Sequence, residues 1–165
     1  MIYRGLLYRA LNPIYAGEPL SGRGAALYGG RFNPKGTLAL YASLTVAIAL
    51  RESNQAGSLQ PTTLVSYDAE IENVFDSRDE TALKAEGMDA AALADTTWRD
   101  QMKKFGEATT QAFARRLANK GFNALLVRSF APGAKENDLN LVLWRWSDAA
   151  PSQLVLIDDE KRLSR

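Results

Sequence analysis

The stretch Tyr28-Gly29-Gly30-Arg31-Phe32-Asn33-Pro34-Lys35-Gly36, running on through Tyr41-Ala42-Ser43 to Arg51-Glu52, decides the reading of this chain. It places a guanidinium, two phenols and a carboxylate on what reads as loop, strand and helix in succession. A segment that only builds core has little use for that mixture, because charged side chains are almost never fully buried unless paired. A pocket for an anionic, sugar-bearing ligand has use for all of it.

The surroundings of each residue sharpen the point. Arg31 follows two glycines, which let backbone approach a ligand closely, and its planar fork of donors suits phosphate or carboxylate. Asn33-Pro34-Lys35-Gly36 matches a type I turn, with Asn first, Pro second and Gly fourth. Leu38 to Ala42 reads as a buried strand. Ser43 suits a helix N-cap, and the helix runs from Leu44 to about Gln55 with Gly57 as its stop. On that helix Leu44, Ile48 and Glu52 fall on one face, so the carboxylate ends an apolar stripe. A two-residue hairpin at 33–36 would pair Arg31 with Leu38 and Tyr28 with Tyr41, sending Arg31 and Tyr41 to opposite faces. Only unpaired, bulged or more widely looped strands bring both into one pocket.

Working outward, Ile2 to Ala10 reads as a strand ended by Asn12-Pro13, and residues 15 to 26 as a long loop. Ala25 to Phe32 reads as a short strand broken by Gly29-Gly30. Thr62 to Ile71 is a strand, and 76 to 104 hold one or two short helices. Glu107 to Lys120 is a helix ended by Gly121, with Phe113 and Leu117 spaced four apart. Strands follow at Asn123 to Ser129, Leu139 to Trp146 and Leu154 to Ile157. No repeat or linker interrupts them. The expectation is a single α+β domain over residues 1–165, built on a mixed, mainly antiparallel sheet of about six strands with flanking helices.

Composition excludes several chemistries. The 165 residues contain no cysteine and no histidine. Disulfides, thiolate nucleophiles, the commonest general base and most transition-metal sites are therefore absent, and no metal is expected. Twenty basic against nineteen acidic residues give a net charge of +1, which removes the general electrostatic case for nucleic acid. The start Met1-Ile2-Tyr3-Arg4 lacks the apolar region of a signal peptide, and the apolar run Leu38 to Leu50 is too short to span a bilayer; a cytoplasmic protein is expected.

Taken together, Tyr8-Arg9-Ala10, Gly29-Gly30-Arg31-Phe32-Asn33-Pro34, Tyr41-Ala42-Ser43, Ala49-Leu50-Arg51-Glu52 and Ser129 resemble the RES domain, a family named for its Arg, Glu and Ser. The likeness runs from about residue 8 to about residue 146. It implies a fold similar to ADP-ribosyltransferase toxins, and a toxin of a bacterial toxin–antitoxin pair that consumes NAD+ as its substrate. Family members pass ADP-ribose to water, phosphate or a protein side chain, and an antitoxin, often Xre-like, covers the active site. By motif the catalytic roles fall on Arg31, Tyr41, Glu52 and Ser129, and nucleotide contacts on Arg9, Tyr28, Arg31, Asn33, Tyr41 and Ser43. Such chemistry needs no histidine, since nicotinamide leaves its ribose as a neutral molecule. Transfer to a protein is slightly favoured over NAD+ hydrolysis or phosphorolysis.

Two other readings compete. An interaction module would use Trp98, Trp144 and Trp146 as anchors. A nucleic-acid binder would use Lys103-Lys104, Arg115-Arg116 and Lys120, which otherwise form a solvated helix face.

Overall fold

The computed structural model describes residues 1–54 and 58–163. Seven strands form one sheet: β1 (Tyr3–Leu11), β2 (Leu40–Ser43), β3 (Thr63–Ile71), β4 (Val74–Asp76), β5 (Ala124–Arg128), β6 (Leu139–Leu143) and β7 (Ser152–Leu156). Their order is β4-β5-β6-β2-β1-β3-β7, and every pairing is antiparallel except β4 with β5. This is the mixed, mainly antiparallel α+β sheet expected from the sequence, with one strand more. The additional strand, β4, is only three residues long and lies between the strand expected to end at Ile71 and the helical region expected from residue 76.

Alternation places the core. Along β3, Val65, Tyr67, Ala69 and Ile71 are buried on one face, while β5 is buried on both. One apolar cluster gathers Val74 from one end of the sheet and Leu154 from the other. The sheet must curl around that cluster to do so, and Met1 and Val74 exchange main-chain hydrogen bonds of 2.9 Å across the closure. The second cluster covers the opposite face, where Phe113 and Leu117 pack on Leu125 and Val142.

Six helices flank the sheet: α1 (Arg23–Tyr28), α2 (Val46–Ser53), α3 (Glu80–Ala85), α4 (Ala90–Leu93), α5 (Trp98–Phe105) and α6 (Thr109–Asn119). The short strand expected at Ala25 to Phe32 is therefore corrected. Its first residues are helical, and Gly29 at φ 72° ends the helix where a side chain would be strained. The N-cap of α2 is Thr45, whose hydroxyl accepts from Ile48 N at 3.2 Å, while Ser43 closes β2. Gln55 and Gly57, the expected end and stop of α2, lie outside the described residues. The residue 76–104 region holds three short helices. Among the described residues no helix is long and apolar enough to cross a membrane.

The turn that carries Arg31 also sits three residues before the one the sequence suggests. Gly30 and Asn33 bridge each other, with Arg31 and Phe32 at the tip, and a second turn closes from Thr37 N to Pro34 O. There is no two-residue hairpin at 33–36, so the constraint separating Arg31 from Tyr41 does not arise. Gln111 fixes this turn from the third position of α6. Its Nε2 donates to Gly30 O at 2.9 Å and Asn33 O at 3.1 Å, and its Oε1 accepts from Ala108 N at 2.9 Å. Ala108 has no side-chain oxygen with which to cap the helix, so only the glutamine's half of a capping box is made. Replacing Gln111 leaves the buried Ala108 N–H without that partner and takes one of two hydrogen bonds from each of Gly30 O and Asn33 O. Gln111→Ala is expected to cost about 3 kcal/mol and lower the melting temperature by roughly 6–12 °C, measured by thermal circular dichroism.

Candidate active site

The site is built where β2, β6 and the end of β5 meet α2. Asn140 on β6 stands opposite Ser43 on β2 and Val127 on β5. Cross-strand partners point to the same face, so Ser43 and Asn140 meet, and the Ser43 hydroxyl donates to Asn140 Oδ1 at 2.7 Å. Asn140 Nδ2 then donates to Glu52 Oε1 at 2.5 Å, and the buried Ser129 hydroxyl donates to the same oxygen. Residues 43, 52, 129 and 140 thus form one connected polar chain. The end of α2 is tied down again by Arg51 Nη1 on Asp138 Oδ2 at 2.9 Å, while Ser129 N donates to Asp138 O at 2.7 Å.

Tyr41 faces the same way as Asn140, two residues before Ser43 on β2. Its hydroxyl donates to Asn33 Oδ1 at 2.6 Å and accepts from Phe32 N at 3.0 Å. Burial pushes this phenol well above its ordinary value, against the opposing pull of Phe32 N and Arg31. The hydroxyl is enclosed while the ring edge stays partly open to the cavity.

Arg31 is aimed by two carbonyls and two rings. Its Nη1 donates to Leu93 O at 3.1 Å and Asp95 O at 2.7 Å, and its guanidinium carbon lies 4.6 Å from the Phe130 ring centre and 6.0 Å from that of Trp98. Burial and then the neighbouring Arg99 cation press its pKa below the usual value, while Glu52, Asp95 and Tyr41 act against them. An arginine stays charged throughout. The Asp95 carboxylate orders the segment supplying those carbonyls by accepting from Thr97 N at 2.8 Å and Gln101 Nε2 at 3.1 Å.

Arg31, Tyr41 and Glu52 line one cavity of about 300 Å³, with Phe130 and Asn140. An adjoining cavity of about 240 Å³ shares Tyr41 and Glu52 and adds Tyr8, Ser43 and Ser53. Together they offer the size of a small-molecule site. Ser129 is buried behind Glu52 rather than in the wall, and acts on the cavity by holding that carboxylate.

The other expected residues fall elsewhere. Asn33 is fully buried and lines none of these cavities; its amide donates to Ala25 O at 2.9 Å and Thr37 O at 3.0 Å. Tyr28 is 70% exposed and lines a separate groove of about 540 Å³ with Tyr15 and Leu27. Arg9 borders that groove and the 240 Å³ cavity, yet its Nη1 donates to Pro19 O at 3.4 Å. Along β1 it shares the parity of Leu7 and Leu11, whereas Tyr8, opposite Ser43, takes the face of Glu52. Three polar wall residues were not singled out from the sequence: Asn140, Arg99 and Arg128. Asn140 had one available signal, an amide inside the apolar strand Leu139 to Leu143.

The competing anchors are otherwise engaged. Trp144 Nε1 donates to Phe32 O and Trp146 Nε1 to Leu20 O, both at 2.9 Å, and Trp98 is buried. Of the basic cluster, Arg115 pairs with Glu107 and Lys120 with Glu86, which leaves little excess charge on that helix face.

Comparison with known families matches residues 6–165 to the RES domain. The chain belongs to the RES domain family. Among solved structures it is similar to the M. tuberculosis MbcT–MbcA toxin–antitoxin complex, with a TM-score of 0.66 and 20% identity over 94% of this chain and 82% of the matched one. That likeness concerns the fold. No curated protein matches the chain.

The enclosed phenol gives a pH signature. The folded state holds the Tyr41 proton more tightly than the unfolded chain, so its contribution is complete below about pH 10 and is lost as pH rises further. Tyr41→Phe should flatten part of that alkaline decline. At neutral pH it should cost about 1–3 kcal/mol, because Phe32 N and Asn33 Oδ1 lose a buried partner. Urea unfolding at about pH 7 and pH 10.5 reads both effects.

Proposed function

We propose that this RES protein is the toxin of a toxin–antitoxin pair and that it cleaves the nicotinamide–ribose bond of NAD+, transferring ADP-ribose to an acceptor. The observation that carries the reading is the single cavity shared by the Glu52 carboxylate, the Arg31 guanidinium and the Tyr41 ring. Breaking that bond releases neutral nicotinamide and leaves positive charge on the ribose. Glu52 stabilises this charge from a fixed position, because Ser129 and Asn140 hold one of its oxygens before substrate arrives. Arg31 binds a phosphate, and the Tyr41 ring packs against ribose or nicotinamide. No proton need be delivered to the leaving group, which suits a chain without histidine.

A protein acceptor is slightly favoured, with water or inorganic phosphate as the alternatives. A cognate antitoxin, Xre-like, would close the cleft. The groove beside Arg9, with Tyr15, Leu27 and Tyr28 each at least 66% exposed, supports a protein partner at the cleft's edge. The MbcT–MbcA complex, a toxin with its antitoxin, is consistent with this assignment.

Glu52→Gln should lower nicotinamide release by ~10²–10³ or more while NAD+ still binds, and should relieve growth inhibition on expression. Arg31→Ala should weaken binding as well as rate. Equal loss of binding in both variants would make Glu52 a structural residue. With labelled NAD+ and cell lysate, label on a discrete protein band supports transfer to protein; free ADP-ribose or its phosphate ester without a band rules it out.

A further inference from the structure

The cavity is unbalanced in charge. Arg31, Arg99 and Arg128 all line it, and Glu52 is its sole carboxylate. Among the described residues none of the three arginines is in an ion pair. Arg99 is exposed, its guanidinium carbon 4.4 Å from the Trp98 ring centre, close enough to Arg31 for the two cations to disfavour each other. Like charges gathered at a half-enclosed site are unfavourable until an anion enters. An excess of two positive charges fits a diphosphate.

Beyond these arginines the wall continues. Arg128 and Phe130 also line a second cavity of about 480 Å³, between α3, α4 and the loop after β5. Leu83, Ala90 and Leu93 make it largely apolar. Its charges balance, with Arg78, Lys84 and Arg128 against Glu80, Asp89 and Glu136, and Arg78 is already held by Asp76 at 2.7 Å. A neutral, flat group with a few polar edges suits this space, and an anion does not. On the far side of Glu52, the 240 Å³ cavity contains one cation, Arg9, which is turned to Pro19 O. The diphosphate therefore has one direction in which to lie.

We propose that Arg99 and Arg128 join Arg31 in binding the diphosphate of the dinucleotide, with the adenosine end in the cavity bounded by Leu83, Ala90, Leu93 and Phe130. The cavity of Tyr8, Ser43 and Ser53 is then left for the acceptor. This inference rests on the NAD+ reading above, and it adds two binding residues and an orientation to it.

The same cations could serve an inorganic phosphate acceptor, and binding measurements on the intact protein separate the two sources. Titration calorimetry measures ADP, nicotinamide mononucleotide and inorganic phosphate, all in a Glu52→Gln background because the mononucleotide carries the bond to be cleaved. Arg99→Gln and Arg128→Gln should each weaken ADP by roughly tenfold, the loss of a charge-assisted contact. Ala90→Trp, on an exposed position of α4, fills the second cavity and should weaken ADP at least fivefold while leaving nicotinamide mononucleotide unchanged. Circular dichroism confirms that each variant folds. ADP binding unchanged in both arginine variants, with the inorganic phosphate requirement raised instead, overturns the proposal and assigns the cations to the acceptor. Equal weakening of ADP and nicotinamide mononucleotide by Ala90→Trp overturns the orientation. A wild-type protein that binds neither ADP nor NAD+ would remove the NAD+ reading itself, a different result from either.

Discussion

The turn at residues 30–33 is the constraint on which the site depends. Four buried or half-buried side chains hold it: Gln111 from α6, Tyr41 from β2, Trp144 after β6, and Asn33 from within the turn. Tyr41 and Trp144 satisfy Phe32 N and Phe32 O, Gln111 adds a second bond to Gly30 O, and Asn33 ties the turn to Ala25 O. A Cβ on Gly30 would collide with the Tyr41 hydroxyl and Asn33 Oδ1, so only glycine leaves room for that knot. The consequence is mechanical. The guanidinium of Arg31 leaves a backbone that cannot drift, and Leu93 O and Asp95 O then set its direction.

Glu52 is fixed by different means. Its neighbours along the polar chain come from the ends of β5, β6 and β2, so strand register alone brings Ser129, Asn140 and Ser43 to α2. The helix contributes the carboxylate, and the sheet contributes the donors. The two halves are joined at the rim by Arg51 on Asp138, a half-exposed pair worth less than about 1 kcal/mol and better understood as alignment than as stability.

The main elements of the fold were legible from periodicity. The long strands and α6 alternate or repeat cleanly, and their ends differ from expectation by a residue or two, whereas β6 stops at Leu143, three residues before the expected Trp146. Ala25 to Phe32 misled because Ala25, Ala26, Leu27 and Tyr28 suit helix and strand alike, and a six-residue helix leaves too little pattern to separate them. β4 escaped notice because its three residues take their place from pairing with β5, which lies far along the chain. Arg31, Tyr41 and Glu52 were legible as a motif, and their convergence was not: spacing argued against a shared pocket because the turn was placed three residues too late. Asn33 and Tyr28 show the converse limit. A motif position can serve the turn that presents a ligand contact without touching the ligand's cavity, and sequence cannot distinguish the two roles.

The identity of the donors on Glu52 bears on chemistry as well as geometry. Ser129 and Asn140 are neutral, so they orient the carboxylate without cancelling its charge. Had an arginine filled either position, the same oxygen would be held as firmly, but its negative charge would be spent before any cation formed on the substrate. For the proposed reaction, a carboxylate already held in place needs no reorganisation as positive charge develops on the ribose. The arginines lie instead along the wall with Phe130 and Trp98, which segregates the two signs within one cavity. For the proposed reaction, that segregation would set a polarity along the cleft, with charge developing at Glu52 and the anion held at the arginines.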